Sequence, residues 1–241
     1  MTYCVGVMLA SGLVFASDSR THAGVDNFAS FCKLSLFERA GDRVIVLLSS
    51  GNLAGTQAVI NTLRQNETRP DCPSLANAES MFDVAQLVSD AMRQVDERNS
   101  MSLTKNETGF YSSFILGGQI KGEVPRLFRL YAEGNFIEAG ELTPYFQTGE
   151  TKYGKPIIDW AITRATNLND ATKCILVSFD STMRSNLSVG MPIDLICYKL
   201  DSLAVTMRRR FDPGDPYFTT LSAEWNAGIR DVLRRLTNLE W

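Results

Sequence analysis

The chain opens in a β-like pattern. Residues 3–9 (YCVGVML) are apolar and β-prone, Ala10-Ser11-Gly12 is a turn signal, and residues 13–17 (LVFAS) resume the pattern, which predicts an N-terminal hairpin. A loop over residues 19–30 separates it from a third β-like segment, 31–38 (FCKLSLFE). Gly41-Asp42 predicts a turn, and 44–50 (VIVLLSS) a buried strand that ends at Gly51. The period then changes from two to 3.6. Residues 53–65 carry Leu53, Val59, Ile60 and Leu63 on one helical face. The two prolines of RPDCPS (69–74) break the chain before a second helix over 77–98, through Met81, Phe82, Ala85, Val88, Met92 and Val95. Strands are predicted again at 112–120, 126–134 and 135–140. A helix over 155–166 has Pro156 in its first turn. CILVSFD (174–180) and IDLICYKL (193–200) read as strong strands, and 218–236 as a last helix through Leu221, Trp225, Ile229, Val232 and Leu233. Strands, two helices, strands, helix, strands, helix: this order predicts an α+β chain. Two sheets would pack on each other with helices on their outer faces, in one domain over residues 1–241.

Composition narrows the chemistry. The 241 residues are 44% hydrophobic and carry a net charge of -3, which suggests no nucleic-acid or anionic-membrane partner. No apolar run is long enough to span a bilayer, and the first residues lack the basic patch and cleavage region of a signal peptide, so the expected address is the cytoplasm. Five dispersed cysteines without a CxxC pair read as reduced thiols. There is one histidine, His22. A histidine-rich zinc site is excluded, and any Ser-His-Asp or Cys-His arrangement would have to use His22 itself. No metal or cofactor is expected.

A mechanism without histidine remains. Thr2, Asp18 and Lys33 each have an ordinary reading: a strand residue, a turn-forming aspartate and a lysine reaching to solvent. Together they are the residue types that N-terminal nucleophile chemistry needs. A free α-amine, with an ordinary pKa near 8, can deprotonate the hydroxyl of its own threonine. A nearby lysine ammonium lowers that pKa, and a carboxylate holds the lysine in place. The hairpin sets Asp18 at the end of the strand beside the one that Thr2 begins. Met1 has to be removed, because an amide nitrogen is not a base, and a small second residue is what initiator-methionine excision requires. Ser49-Ser50-Gly51-Asn52 falls where a strand meets a helix; its amides suit a developing oxyanion, and Gly51 equally suits a simple strand-to-helix turn.

The start, T-x-x-x-G-V-x-x-x-x-G-x-V-x-A-S-D-S-R-x-x-A-G, resembles proteasome β-type subunits and bacterial HslV, of the N-terminal nucleophile hydrolase superfamily. The Met-Thr start, the FCKLSLFE and QTGETKYGKPIID segments and the long last helix extend the resemblance to the bacterial Anbu, or ancestral β-subunit, group. The resemblance implies a four-layer αββα sandwich and threonine-peptidase chemistry on peptides or unfolded proteins. Thr2 matches the nucleophile, Asp18 and Lys33 its supporting pair, and Gly51 the glycine facing the oxyanion. Thr21 and His22 match the loop that pairs with substrate backbone; Phe31 and Ser49 fall near positions that shape the first specificity pocket. The family's R-D-x-x-S-G-G stretch is here Arg184-Ser185-Asn186-Leu187-Ser188-Val189-Gly190: Ser188 keeps the serine, and Ser185 stands in place of the aspartate. Where G-S-G is expected there is Gln147-Thr148-Gly149-Glu150, so that Thr148 supplies the hydroxyl or Glu150 acts instead. A homo-oligomer is implied; the last amphipathic helix with its trailing Trp241 either caps its own core or joins a neighbour, the aromatic chain end favouring the interface, and an unfoldase partner stays open. Two other readings stand beside the peptidase: an amidohydrolase or acyl-transfer enzyme with a narrow substrate, and a non-catalytic assembly subunit.

Overall fold

The computed structural model describes residues 2–22, 28–100 and 111–240, with the backbone alone for His22, Phe28, Asn99 and Ser100. The predicted hairpin is present as β1 (Tyr3–Leu9) and β2 (Gly12–Asp18). Both strands are buried along their whole length because both faces are covered. On β1, Tyr3, Val5, Val7 and Leu9 point into one core and Cys4 and Met8 into another, the period of two expected of a strand. A short ribbon, β3 (Arg20–His22) with β4 (Phe28–Ser30), follows within the stretch predicted as loop. Next come β5 (Leu34–Arg39), β6 (Arg43–Gly51), α1 (Leu53–Glu67), α2 (Met81–Ser100), β7 (Ser112–Ile120), β8 (Arg126–Leu130), β9 (Phe136–Glu138) and β10 (Tyr145–Gly149). The chain ends with α3 (Lys155–Ala161), α4 (Leu168–Ser185), β11 (Ile193–Lys199), β12 (Met207–Phe211) and α5 (Pro216–Arg235).

The fold is α+β. One antiparallel sheet has the order β10-β1-β2-β11-β12, the other β5-β6-β7-β8-β9. Cys4, Leu13, Phe15 and Ile196 of the first meet Val44, Val46, Ile115 and Leu127 of the second in a shared core. Glycine lets the sheets close there: a Cβ on Gly6 would stand 2.8 Å from Ile115 Cγ2, and one on Gly117 2.7 Å from the Phe15 ring. The outer face of the second sheet packs on α1 and α2, that of the first on α3, α4 and the start of α5. Among the described residues no helix is long and apolar enough to cross a membrane.

One predicted strand is a helix. Residues 174–180, read from their unbroken apolar run, form the middle of α4. These seven residues are the buried middle of a longer amphipathic helix, and a short buried run cannot be told from a buried strand by pattern alone; the polar face shows only over the full length, at Asn169, Asp170, Lys173 and Arg184. Here α4 lies between β1, β2 and β11 on one side and α3 and α5 on the other, and Cys174 through Asp180 are all buried. The signal that separates the two lies upstream, where Asn167 caps the helix by accepting from the Asp170 amide at 2.9 Å. The helix predicted over 155–166 stops at Ala161, and the predicted strands 126–134 and 135–140 shorten to β8 and β9. Strands β10 and β12 escape the pattern, each being five residues long and β12 mostly exposed.

Candidate functional site

The hairpin register brings the first candidates together. Cys4 pairs with Ser17, so the backbone of Thr2 and Tyr3 runs beside Asp18. Asp18 is fully buried, and its Oδ1 accepts from the Tyr3 amide at 3.0 Å and from Lys33 Nζ at 2.7 Å. Its Oδ2 faces the Gly190 amide at 3.4 Å. Burial pushes the Asp18 carboxyl above the usual carboxylate range, against the pull of the Lys33 ammonium and of the Tyr3 and Gly190 amides. Lys33 lies just before β5, and Ser49 holds its carbonyl through the amide at 2.9 Å and Oγ at 3.3 Å. Lys33 Nζ also donates to Arg20 O at 2.6 Å, which leaves it one further N–H.

Thr2 and Lys33 open on one cavity of about 320 Å³, with Thr21, Ser49, Gly51 and Gly149 also on its wall. Gly51 has a φ of +107°, and a Cβ there would stand 2.1 Å from Tyr111 O, so only glycine fits the bend from β6 into α1. Asn52 caps α1 by accepting from the Gly55 amide at 3.1 Å, and Leu53 and Thr56 of the first turn line the cavity. The positive end of a helix therefore adjoins Thr2. Thr21 Oγ1 is enclosed and has no hydrogen-bond partner among the described residues.

The other expected site residues lie elsewhere. Phe31 is 39% exposed and is not part of the cavity wall. The Thr148 hydroxyl forms a closed group with Ser50 Oγ and Ser113 Oγ, at 2.8 Å to each, and ties β10 to β6 and β7. Ser185 is exposed at the end of α4. Ser188 is half-buried and off the cavity, its amide donating to Asn186 Oδ1 at 2.9 Å. The side chain of His22 lies outside the described residues, as do Met1 and Trp241. Asn186 is the residue that the sequence did not single out. Its Nδ2 donates to Glu150 Oε2 at 2.8 Å, and the Glu150 amide donates to Thr2 O at 2.7 Å. Nothing local to either residue marks that contact; the nearest signal is Gly149, whose positive φ of +85° turns Glu150 out of the strand. Among the described residues no group of three or more His, Cys, Asp or Glu side chains is placed to hold a metal.

No protein-family model and no curated protein matches the chain. Solved structures do. Anbu (ancestral β-subunit) from Yersinia bercovieri is 46% identical over 99% of each chain, with a TM-score of 0.93. The Gly-1 mutant of Anbu from Hyphomicrobium sp. strain MC1 is 46% identical over the whole of both chains, also at 0.93. A structure described as the helical assembly of the Anbu complex from Pseudomonas aeruginosa is 49% identical over 99% of this chain and 98% of that one, at 0.94. Paired antiparallel sheets with threonine, aspartate and lysine gathered at one end, and likeness at this level, define a protein of the proteasome β type. Within that class the chain belongs to the Anbu (ancestral β-subunit) family.

Proposed function

We propose that the chain is a threonine-type peptidase of the cytoplasm that hydrolyses peptide bonds in peptides or unfolded proteins, with Thr2 as nucleophile once Met1 is removed. The chain is then one domain over residues 1–241, a four-layer αββα sandwich with its site at one end. The three separate cores, one between the sheets and one under each helical layer, support that reading. The observation that carries the function is Asp18, fully buried, holding the Tyr3 amide and the Lys33 ammonium with one oxygen beside the cavity that Thr2 lines. In the reaction the Thr2 amine takes the proton of Oγ, and Oγ attacks the scissile carbonyl to give a tetrahedral intermediate. Its oxyanion faces Gly51 and the first turn of α1. The amine returns the proton to the leaving nitrogen, and water then releases the acyl group from Oγ by the same route. Lys33, held by Asp18, lowers the pKa of the amine so that more of it is neutral. Thr21 and Ser49 take the substrate on the cavity wall, and Phe31, off that wall, and His22 are proposed to meet the substrate beyond it. All five cysteines are free, which agrees with a reducing compartment.

The cavity itself favours a second reading. Its wall is rich in small hydroxyl side chains, Thr2, Thr21, Ser49, Ser50 and Thr56, and its volume is modest, as a small polar amide would need. Incubating the Met1-free chain with a mixture of peptides and reading the products by mass spectrometry separates the two. Internal cleavage of many sequences supports the peptidase; cleavage of none, with acylation of Thr2 retained, supports the narrow amidohydrolase.

The helix α5 supports self-assembly. Beyond Leu221 none of its residues is buried, yet Trp225, Ile229, Val232 and Leu233 continue the apolar face. With Trp160 of α3, exposed at 89%, they line a groove of about 1170 Å³ between α3, α4 and α5. An apolar surface of this kind marks an interaction site. The Pseudomonas relative is described as a helical assembly, and a second copy of this chain is the proposed occupant. The double variant Ile229→Asp/Val232→Asp is expected to sediment as small species where the unaltered chain forms large ones. Its melting temperature as a monomer should be nearly unchanged, since neither side chain is buried in the fold. Large species that persist in the variant would remove α5 from the interface.

A further inference from the structure

Glu150 presents an imbalance. The residue is only 6% exposed, and a buried carboxyl ordinarily has a cation beside it. Among the described residues it forms no ion pair; its one side-chain partner is the neutral Asn186 amide. Lys152, two residues along the chain, is exposed and forms no ion pair with Glu150, and three other cations of the surrounding elements are engaged. Lys33 binds Asp18 and Arg20 O, Arg20 reaches Leu187 O at 2.9 Å, and Arg184 in the last turn of α4 pairs with Asp180 at 2.9 Å. Asp18 from β2 is neutralised by Lys33, as Asp180 is by Arg184.

The missing charge has an evident source. The Glu150 amide is bonded to the Thr2 carbonyl at 2.7 Å, and main chains so joined run about 5 Å apart, within the span of a glutamate side chain. That register is tight: a Cβ on Gly149 would lie 1.9 Å from Thr2 O, so the residue before Glu150 has to be glycine. When Met1 leaves, the Thr2 nitrogen changes from a neutral amide to an amine that can carry a proton. The geometry points to Glu150 as the acceptor for that α-ammonium and to Asn186 as the residue that aims it. Asn186 is suited to the task, because its backbone closes α4 by donating to Thr182 O at 2.9 Å. Its side chain meanwhile donates to Glu150 and accepts from the Ser188 amide, which fixes the orientation of the carboxamide. Two opposed charges then set the basicity of the amine: Lys33 lowers its pKa, and Glu150 raises it. Both residues are positioning residues for Thr2. This rests on the reading of Thr2 as an N-terminal nucleophile, and it deepens that reading by naming what holds the base.

The test titrates the amine without requiring turnover. The full chain is made as a fusion whose proteolytic removal leaves Thr2 as first residue, and intact mass confirms the product. Thr2 is then labelled competitively with acetic anhydride across pH, and the N-terminal peptide is quantified by mass spectrometry. Only the neutral amine reacts, so the midpoint of labelling reports its pKa. Glu150→Gln keeps an acceptor for Asn186 and removes the charge; it should lower the midpoint by about one pH unit. Asn186→Ala should lower it by less, in the same direction. A Glu150→Gln curve that overlays the unaltered chain, or moves to higher pH, overturns the proposal. Asn186→Ala overlaying the unaltered chain while Glu150→Gln shifts overturns the part given to Asn186. Should the glutamine variant fail to fold, the Asn186→Ala curve decides alone, a lowered midpoint supporting the pair and an unchanged one overturning it. A chain that cleaves nothing yet shows the shift keeps this inference and loses the peptidase; one that cleaves peptides with superimposed curves does the reverse.

Discussion

Thr2→Ala abolishes peptide hydrolysis, by at least about 10³-fold in kcat/KM, and leaves the fold intact. The substitution removes one hydroxyl and one methyl from a residue held mainly through its backbone, where the Glu150 amide binds its carbonyl. Alanine at position 2 still permits excision of the initiator methionine, so the variant also presents a free amine. The loss is therefore that of the nucleophile alone. A fluorogenic peptide assay, beside thermal melting of both proteins, measures it. Thr2→Ala retaining more than about a tenth of the rate would transfer the nucleophile's role to another group.

Lys33→Met destabilises the protein by about 3–5 kcal/mol and silences it together. Methionine fills most of the lysine volume, so the cost is electrostatic. Asp18 stays fully buried and loses the ammonium 2.7 Å away, which leaves only amide donors around its carboxyl. The pH dependence has a definite sign. Burial already raises the Asp18 carboxyl, and without Lys33 nothing cationic opposes that rise. A carboxyl whose folded pKa is raised favours the folded state below its unfolded pKa and loses that advantage as pH rises through the folded value. The penalty in Lys33→Met is thus smallest in acid and grows toward neutral pH. Urea unfolding at several pH values reads it. Adding Asp18→Asn to Lys33→Met should recover part of the stability, because no charge is then left buried, while activity stays absent. A Lys33→Met variant as stable as the parent at neutral pH would contradict the ion pair.

The helices α1, α2 and α5 were legible because each buries one face, so its period survives in the sequence, and the hairpin and the central strands because short, β-prone apolar runs are bounded by turn residues. The helix α4 was not, since the seven residues read as a strand, 174–180, are all buried, and the exposed polar positions that mark its period, Asn169, Asp170, Lys173 and Arg184, lie outside them. Strands β3, β4, β10 and β12 are short, and β12, with Arg208, Arg209 and Arg210 exposed on an edge, carries no apolar alternation. At the site, the residues near the chain start were legible for a topological reason. A tight hairpin fixes Asp18 relative to Thr2 within 17 positions, and Lys33 is close behind. Thr21, Ser49 and Gly51 reach the cavity with them. The far half of the site was harder. Which side chain of 184–190 turns inward depends on how α4 ends, and the structure turns Asn186 toward Glu150 while Ser185 stays exposed. Thr148 could not be placed from sequence because its partners, Ser50 and Ser113, belong to the opposite sheet. Phe31 lies between Thr21 and Lys33, which both reach the cavity, and is itself largely exposed, a side-chain direction that the sequence does not give.

The central claim is that Thr2, once it is the first residue, is a nucleophile. Its most direct test is intact-mass and peptide mapping of the Met1-free chain after exposure to a peptide epoxyketone or a β-lactone. The account predicts one adduct per chain, mapped to Thr2 and absent from Thr2→Ala. No adduct on a chain with a confirmed free Thr2 amine, or an adduct that persists in Thr2→Ala, would contradict it.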